Sequence, residues 1–300
     1  MRGPALDVKL ILVRGFPTLL LLSLAALPLA HAVAQVPAAL TAQQAQGLVA
    51  RALATESRAA QEIATSHPMR YRLHKVTPRL TSTKDMVETR DGEVARLISL
   101  FDKPLSQADE QKEQARLDAL LSDPSLQQHR KNREDADTAR AMNVLRVLPQ
   151  AFLYKFAGTG MASGGMVQKF TFKPNPQFSP PDLETQLLSA MTGELWIDAA
   201  QERVVRLEGH LQQNKEFGLG ILGQVDKGGW VLIEQADVGA HQWRIVRLQL
   251  VMNFRVIFEN KSSDSKQEYT QFTPLPAGLT YAEGIQLLRN RGGSAGQASH

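Results

Sequence analysis

The alternation between Val246 and Phe258 constrains this chain more than any other feature. Val246, Leu248, Leu250, Met252, Phe254, Val256 and Phe258 fill every even position, while Arg247, Gln249, Asn253, Arg255 and Glu259 stand among the odd ones. A strict period of two marks a half-buried strand, with one face to a dry interior and one to water. At ~3.3 Å per residue the run extends roughly 43 Å, well beyond an ordinary strand. Strands of that length belong to a sheet that curls into a barrel or half-barrel. A hairpin bend near Met252-Asn253 would divide the run, and the pattern leaves that alternative open.

The rest of the chain supplies partners for such a strand. A capping box at Thr41 and Gln44 opens a helix to about Thr65, which Pro68 ends. Strand patterns follow at Met69 to Val76, Arg79 to Thr89 and Glu93 to Phe101, the last two joined by the turn Arg90-Asp91-Gly92. Further strands are expected at Ala151 to Phe156, Met166 to Lys173, Gly193 to Ala199, Arg203 to Gln213, Trp230 to Asp237 and His241 to Glu259. Between residues 106 and 148 the chain is dominated by charged and amide side chains without a strand pattern. Ser106 with Asp109, and Asp123 with Pro124, cap two helices there. Only the second helix's end is apolar, at Met142, Val144, Leu145, Val147 and Leu148. This insertion reads either as a solvated pair of helices docked at that end or as a movable cover over part of the sheet. Asp182 caps a short helix, and another is expected from Tyr281 to Leu288.

The first 34 residues read as a secretory signal peptide. Arg2, Lys9 and Arg14 precede the apolar run Phe16 to Ala30, and Ala30, Ala32 and Ala34 form overlapping A-x-A cleavage sites. The run is short of the ~20 residues a bilayer-spanning helix needs, so the mature protein is expected to be periplasmic, without a transmembrane anchor after cleavage. The chain has no cysteine, which excludes disulfides, thiolate metal sites and a lipid-modified cysteine. The export segment carries three cations and one anion, so the net +4 of the full chain falls to about +2. That is too weak for a nucleic-acid footprint. Residues 35–291 are expected to form one domain, with a disordered tail at 292–300.

Motifs for chemistry are scarce. Gly218, Gly220 and Gly223 match G-x-G-x-x-G, but a dinucleotide site needs a helix starting at the third glycine. Here Gln224 to Gly229 follows, which cannot sustain one. The segment Glu216 to Gly229 instead links two strands. Its apolar residues, Phe217, Leu219, Ile221, Leu222 and Val225, either plug the sheet's end or line a mouth. The Gly158 to Gly165 loop lacks the Gly-Lys-Ser/Thr of a phosphate loop. No G-x-S-x-G and no metal-spaced histidine pair is present, so neither catalytic residues, a metal nor a cofactor is expected. Trp196, Trp230 and Trp243 read as structural residues on strands.

The segments Met191 to Asp198 (MTGELWID) and Arg203 to Glu208 (RVVRLE) resemble a hairpin of the periplasmic LolA/LolB-like group, which carries or senses lipoproteins and lipids. The order of export segment, helix, antiparallel strands and helical interruption is similar as well. The resemblance implies an α+β fold: a curled antiparallel half-barrel with helices on its concave, open side, and an apolar hollow that takes acyl chains. It also implies an exported, non-enzymatic carrier or chaperone for a lipid or an acylated lipoprotein in the cell envelope. Candidate contacts are Trp230, Leu232, Val246, Leu248, Leu250, Met252 and Phe254, with Phe217, Leu219 and Ile221 at the mouth. The competing readings are a sensor or interaction module with a filled core and an envelope protein as partner, or a hydrolase with no nominated residue.

Overall fold

A computed structural model describes residues 40–162, 164–217, 223–256 and 259–290. The expected export segment and tail, Ser163, Leu219, Ile221, Leu222, Phe258 and the side chain of Val256 lie outside the described residues. Helix α1 (Ala42–Ser66) begins at the expected box, where Thr41 and Gln44 exchange backbone-to-side-chain bonds of 2.9 and 3.2 Å. Strands β1 (Met69–Thr77), β2 (Leu80–Thr89), β3 (Gly92–Leu100) and β4 (Lys103–Pro104) follow. Helices α2 (Gln107–Ser122) and α3 (Pro124–Ala151) form the insertion, capped by Ser106 and Asp123. Then come β5 (Phe152–Ala162), β6 (Gly165–Pro174), α4 (Leu183–Gln186), β7 (Met191–Asp198), β8 (Arg203–Leu211), β9 (Lys215–Phe217) and β10 (Gly223–Val225). The chain ends in β11 (Trp230–Asp237), β12 (Trp243–Val256), β13 (Glu259–Pro274) and α5 (Tyr281–Asn290).

Among the described residues these strands make one antiparallel sheet ordered β4-β3-β2-β1-β13-β12-β11-β8-β7-β6-β5, with the β9–β10 hairpin attached to β12. The sheet is not closed into a barrel, so the fold is α+β with a curled open sheet. The alternating run is β12, and it passes Met252-Asn253 without a bend. Two segments read as connections carry strand instead. β5 and β6 stay paired down to Ala162 and Gly165, and the linker after Glu216 contributes β9 and β10. Strand β13 is as long as 16 residues although it is almost entirely polar. It forms because both its edges are paired, with β12 from Arg247 to Val256 and with β1 from Met69 to Val76. Pairing and context override its weak intrinsic preference.

The open sheet has two edges, and the chain between them is the charged insertion. β4 covers only Ser99 and Leu100 of β3. Along the rest of that edge, side chains of α2 and α3 replace a neighbouring strand. Leu97 N donates to Glu113 at 2.8 Å and Glu93 N to Glu134 at 3.0 Å; Arg116 donates to Ala95 O and Arg130 to Glu93 O. Glu113 and Arg116 are also paired with each other at 2.6 Å. The insertion is therefore not a solvated spur docked only at its end. Its charges satisfy backbone groups that would otherwise template aggregation. With 28 residues at ~1.5 Å each, α3 spans roughly 42 Å, from β3 across to the start of β5. There Val147, Leu148 and Ala151 are buried, and Gln46 of α1 donates to Pro149 O and Phe152 O.

Each sheet face carries its own core. On the inner face, Ala45, Leu48, Val49, Ala52 and Leu53 of α1 pack on β5 to β8. On the outer face of β2 and β3, α5 and α2 bury Val87, Val94, Leu117, Ile285 and Leu288. Gly284 permits that docking, since a Cβ there would stand 2.8 Å from Thr89 and 3.3 Å from Val87 and Val94. No described helix is long and apolar enough to cross a membrane. The edge bonds give a direct test. Glu113→Ala leaves the Leu97 N–H without its acceptor and the Arg116 guanidinium with Ala95 O alone, at a cost of about 1–3 kcal/mol. We expect Tm to fall by several degrees and light scattering to show self-association. An unchanged Tm with monodisperse protein would show that these contacts guard nothing.

Candidate functional site

Cross-strand register identifies the inner face residue by residue. One row runs Leu248, Ile233, Leu207, Leu195, Phe170, Phe156 across β12, β11, β8, β7, β6 and β5. The next runs Leu250, Val231, Gly209, Gly193, Phe172, Tyr154. Directly opposed residues of an antiparallel sheet point to the same side, so both rows face α1. Burial along them is uneven. Phe170 and Leu195 are 0% and 1% exposed under α1, whereas Leu207, Ile233, Leu248 and Leu250 are only half-buried. Helices α1 and α3 thus fill the β5–β8 half of the inner face and leave it partly open over β11 and β12, while on β1 to β3 Tyr71, Met86 and Ala95 form a second buried cluster of that face.

Among the sequence candidates, Leu248, Leu250, Met252 and Phe254 come together on that face. Met252 is buried, and Leu250 and Phe254 pack partly buried on the same core. Val246 stands at a β-bulge, where the β11 register slips between Glu234 and Gln235. Phe217 packs on the core from β9, and Val225 of β10, opposite Phe254, is 1% exposed. Gly223 opens strand β10 rather than a helix.

Trp230 and Leu232 are not brought to this face. Register pairs Trp230 with Val251 and His210, and Leu232 with Gln249 and Glu208, all on the outer side. The inward residues of β11 are Val231 and Ile233. Trp230 stacks on His210 with ring centroids 6.5 Å apart. Leu232 is 6% exposed there, and around it from β6 to β13 runs a polar ladder. Lys169 Nζ lies 4.0 Å from the Trp196 ring centroid, with Arg206 on the same indole. Arg206 pairs with Glu234, Glu234 with Arg247 at 2.9 Å, and Arg247 approaches Glu268 at 4.0 Å. Ion pairs this exposed contribute little singly, yet they mark which face meets water.

Two buried charge clusters sit at the end of the sheet where β12 begins. Arg203 is held by Glu56 of α1 through bonds of 2.8 and 2.9 Å, and Glu56 also accepts from Val204 N. Trp243, 3% exposed, donates to Gln201 at 2.8 Å, and the Arg203 guanidinium lies 5.5 Å from its ring. Beside them, Arg244 donates to His67 O at 2.7 Å and reaches Glu88 only at 3.8 Å. Glu88 accepts from Met69 N at 2.8 Å, while its cross-strand neighbour Glu93 accepts from Tyr71 at 2.7 Å. Sequence reasoning missed these groups. The available signal was Arg244 itself, a charge in the even phase that continues inward from Val246. Among the described residues no cluster of three or more His, Cys, Asp or Glu side chains could hold a metal ion.

Burial raises the Glu88 carboxyl from 4.5 to about 7, outweighing the lowering by Arg244 and by the Met69 N–H. Burial likewise lowers the Arg244 guanidinium despite Glu88. At 3.8 Å the pair is too loose for attraction to win. Because the folded value lies above the unfolded one, Glu88 holds a proton in the native state that it loses on unfolding. Its contribution is present below about pH 4.5 and is lost as pH rises through about 7, a swing of about 3 kcal/mol. Glu88→Gln keeps the acceptor for Met69 N and removes this slope. Urea titrations between about pH 5 and about pH 8 should show wild type losing about 3 kcal/mol more than the variant; parallel profiles would contradict the assignment.

No family model matches this chain. No curated protein matches it either. Among solved structures it is similar to the crystal structure of an outer membrane lipoprotein-sorting protein domain from Vibrio parahaemolyticus, at 10% identity and a TM-score of 0.31, covering 83% of this chain and 100% of that one. A score that low transfers neither fold nor role.

Proposed function

We propose that this protein is a non-enzymatic carrier that shelters an acyl chain, of a lipid or an acylated lipoprotein, against the inner face of its open sheet. The observation that carries this reading is the uneven burial of one continuous apolar row. Leu195 and Phe170 are sealed by α1, whereas Leu207, Ile233 and Leu248 in the same row are not. Half-buried apolar surface continuous with a core can be desolvated further by an occupant. Each methylene so buried contributes about 0.8 kcal/mol, so a chain of about a dozen carbons supplies roughly 10 kcal/mol before entropic costs. The charged strap α3 reaches from β3 to β5, and its buried apolar residues lie at the β5 end. The export-like composition of the first 34 residues supports a periplasmic carrier, in a compartment where an acyl chain in transit needs protection from water.

Native mass spectrometry of protein purified from a membrane-rich host should detect reproducible bound lipid, and a fluorescent dodecyl probe should bind. Leu248→Asn and Ile233→Asn should each weaken the probe by about tenfold, the scale of one or two buried methylenes, with Tm nearly unchanged. A clean apo mass together with no probe binding would sink the carrier reading and favour a module whose core is already full.

A further inference from the structure

The inner face changes character beyond β13. Register carries Leu248 through Gln267 to Lys75 of β1, and Tyr269 through Leu73 to Lys84 of β2. The two lysines therefore share the face of the half-buried apolar row. At ~4.8 Å between strands they stand roughly 10–14 Å from β12, within reach of one medium-length acyl chain. Lys84 is half-buried and Lys75 exposed.

The acids of this face are already engaged. Glu88 holds Met69 N and faces Arg244, and Glu93 holds the Tyr71 hydroxyl. By contrast, the ammonium groups of Lys75 and Lys84 form no hydrogen bond or ion pair among the described residues. Burial and the nearby cations Arg116, Lys75 and Arg130 all act against the Lys84 charge. Glu113 is the one acid that supports it, and that carboxylate is committed to Arg116 and Leu97 N. The outcome is a local excess of positive charge, partly desolvated, next to open apolar surface. Nothing in the packing of the sheet needs two ammonium groups there. An anion would relieve their mutual repulsion and offset the desolvation of Lys84.

We propose that the occupant of the inner face is a medium-chain carboxylate, with its chain over Leu248 and Ile233 and its headgroup between Lys75 and Lys84. This rests on the carrier reading and adds the headgroup chemistry to it. A charge-assisted pair of contacts to a carboxylate is worth enough to separate it from an uncharged analogue of equal length by about tenfold or more.

The test measures dodecanoate, dodecanol and dodecyl phosphate binding by calorimetry at neutral pH, on wild type, on Lys75→Gln/Lys84→Gln and on the single exposed change Lys75→Glu. Wild type should prefer dodecanoate to dodecanol by about tenfold. The double variant should lose that preference and keep its dodecanol affinity, and Lys75→Glu should reverse the preference. Equal binding of dodecanoate and dodecanol by wild type, or a preference surviving in the double variant, overturns the lysine assignment and leaves the carrier reading intact. Failure of all three ligands to bind overturns the carrier reading itself. Much tighter binding of dodecyl phosphate, lost in the double variant, replaces the carboxylate by a phosphate headgroup.

Discussion

An antiparallel sheet that does not close must satisfy the backbone groups along its free edges, and the rest of this molecule is arranged around that requirement. Closed barrels remove the problem by pairing first strand with last. Here the chain between the terminal strands β4 and β5 is a helical hairpin, and Glu113, Arg116, Arg130 and Glu134 supply the donors and acceptors that a further strand would have supplied. Such a strap leaves the curled sheet open. That difference separates a fold with a sealed interior from one with an accessible inner face.

The inner face is divided by how far α1 and α3 reach. Over β5 to β8 the apolar rows are closed off, and the glycines Gly193 and Gly209 let Phe172 lie close against the strands. Over β11 and β12 the same rows continue with less cover. They then give way to the serines and glutamine of β13 and to Lys75 and Lys84. A surface that passes from core to half-buried apolar to cationic within a few strands has the polarity of an amphiphile. The charged residues Glu56, Arg203, Glu88 and Arg244 terminate it at the opposite end, where α1 joins β1.

Legibility in the sequence followed how local the determining interaction was. Helix starts at Thr41, Ser106, Asp123 and Asp182 were visible because a cap bonds within three residues. The phase of β12 was visible because one side of it is apolar and the other is not. The phase of β11 was not, since Trp230, Val231, Leu232 and Ile233 are apolar in both phases. Only the pairing of Ile233 with Leu248 decides which side each faces, and that pairing turns Trp230 and Leu232 outward. Likewise, a run such as Ser262-Ser263-Asp264-Ser265-Lys266 carries no strand pattern. It becomes β13 because β1 and β12 offer hydrogen bonds on both sides.

The sequence by itself determined a long two-phase strand, the caps of the helices and the short hairpins, all of which depend on neighbours a few residues away. Tertiary structure alone decided which face of β11 is inner, why residues 107–151 are charged, and where Lys84 stands relative to Leu248. Those facts rest on contacts between segments far apart in the chain. A backbone edge waiting for Glu113, or an ammonium whose nearby acid is committed elsewhere, leaves no periodic trace in the chain that creates it.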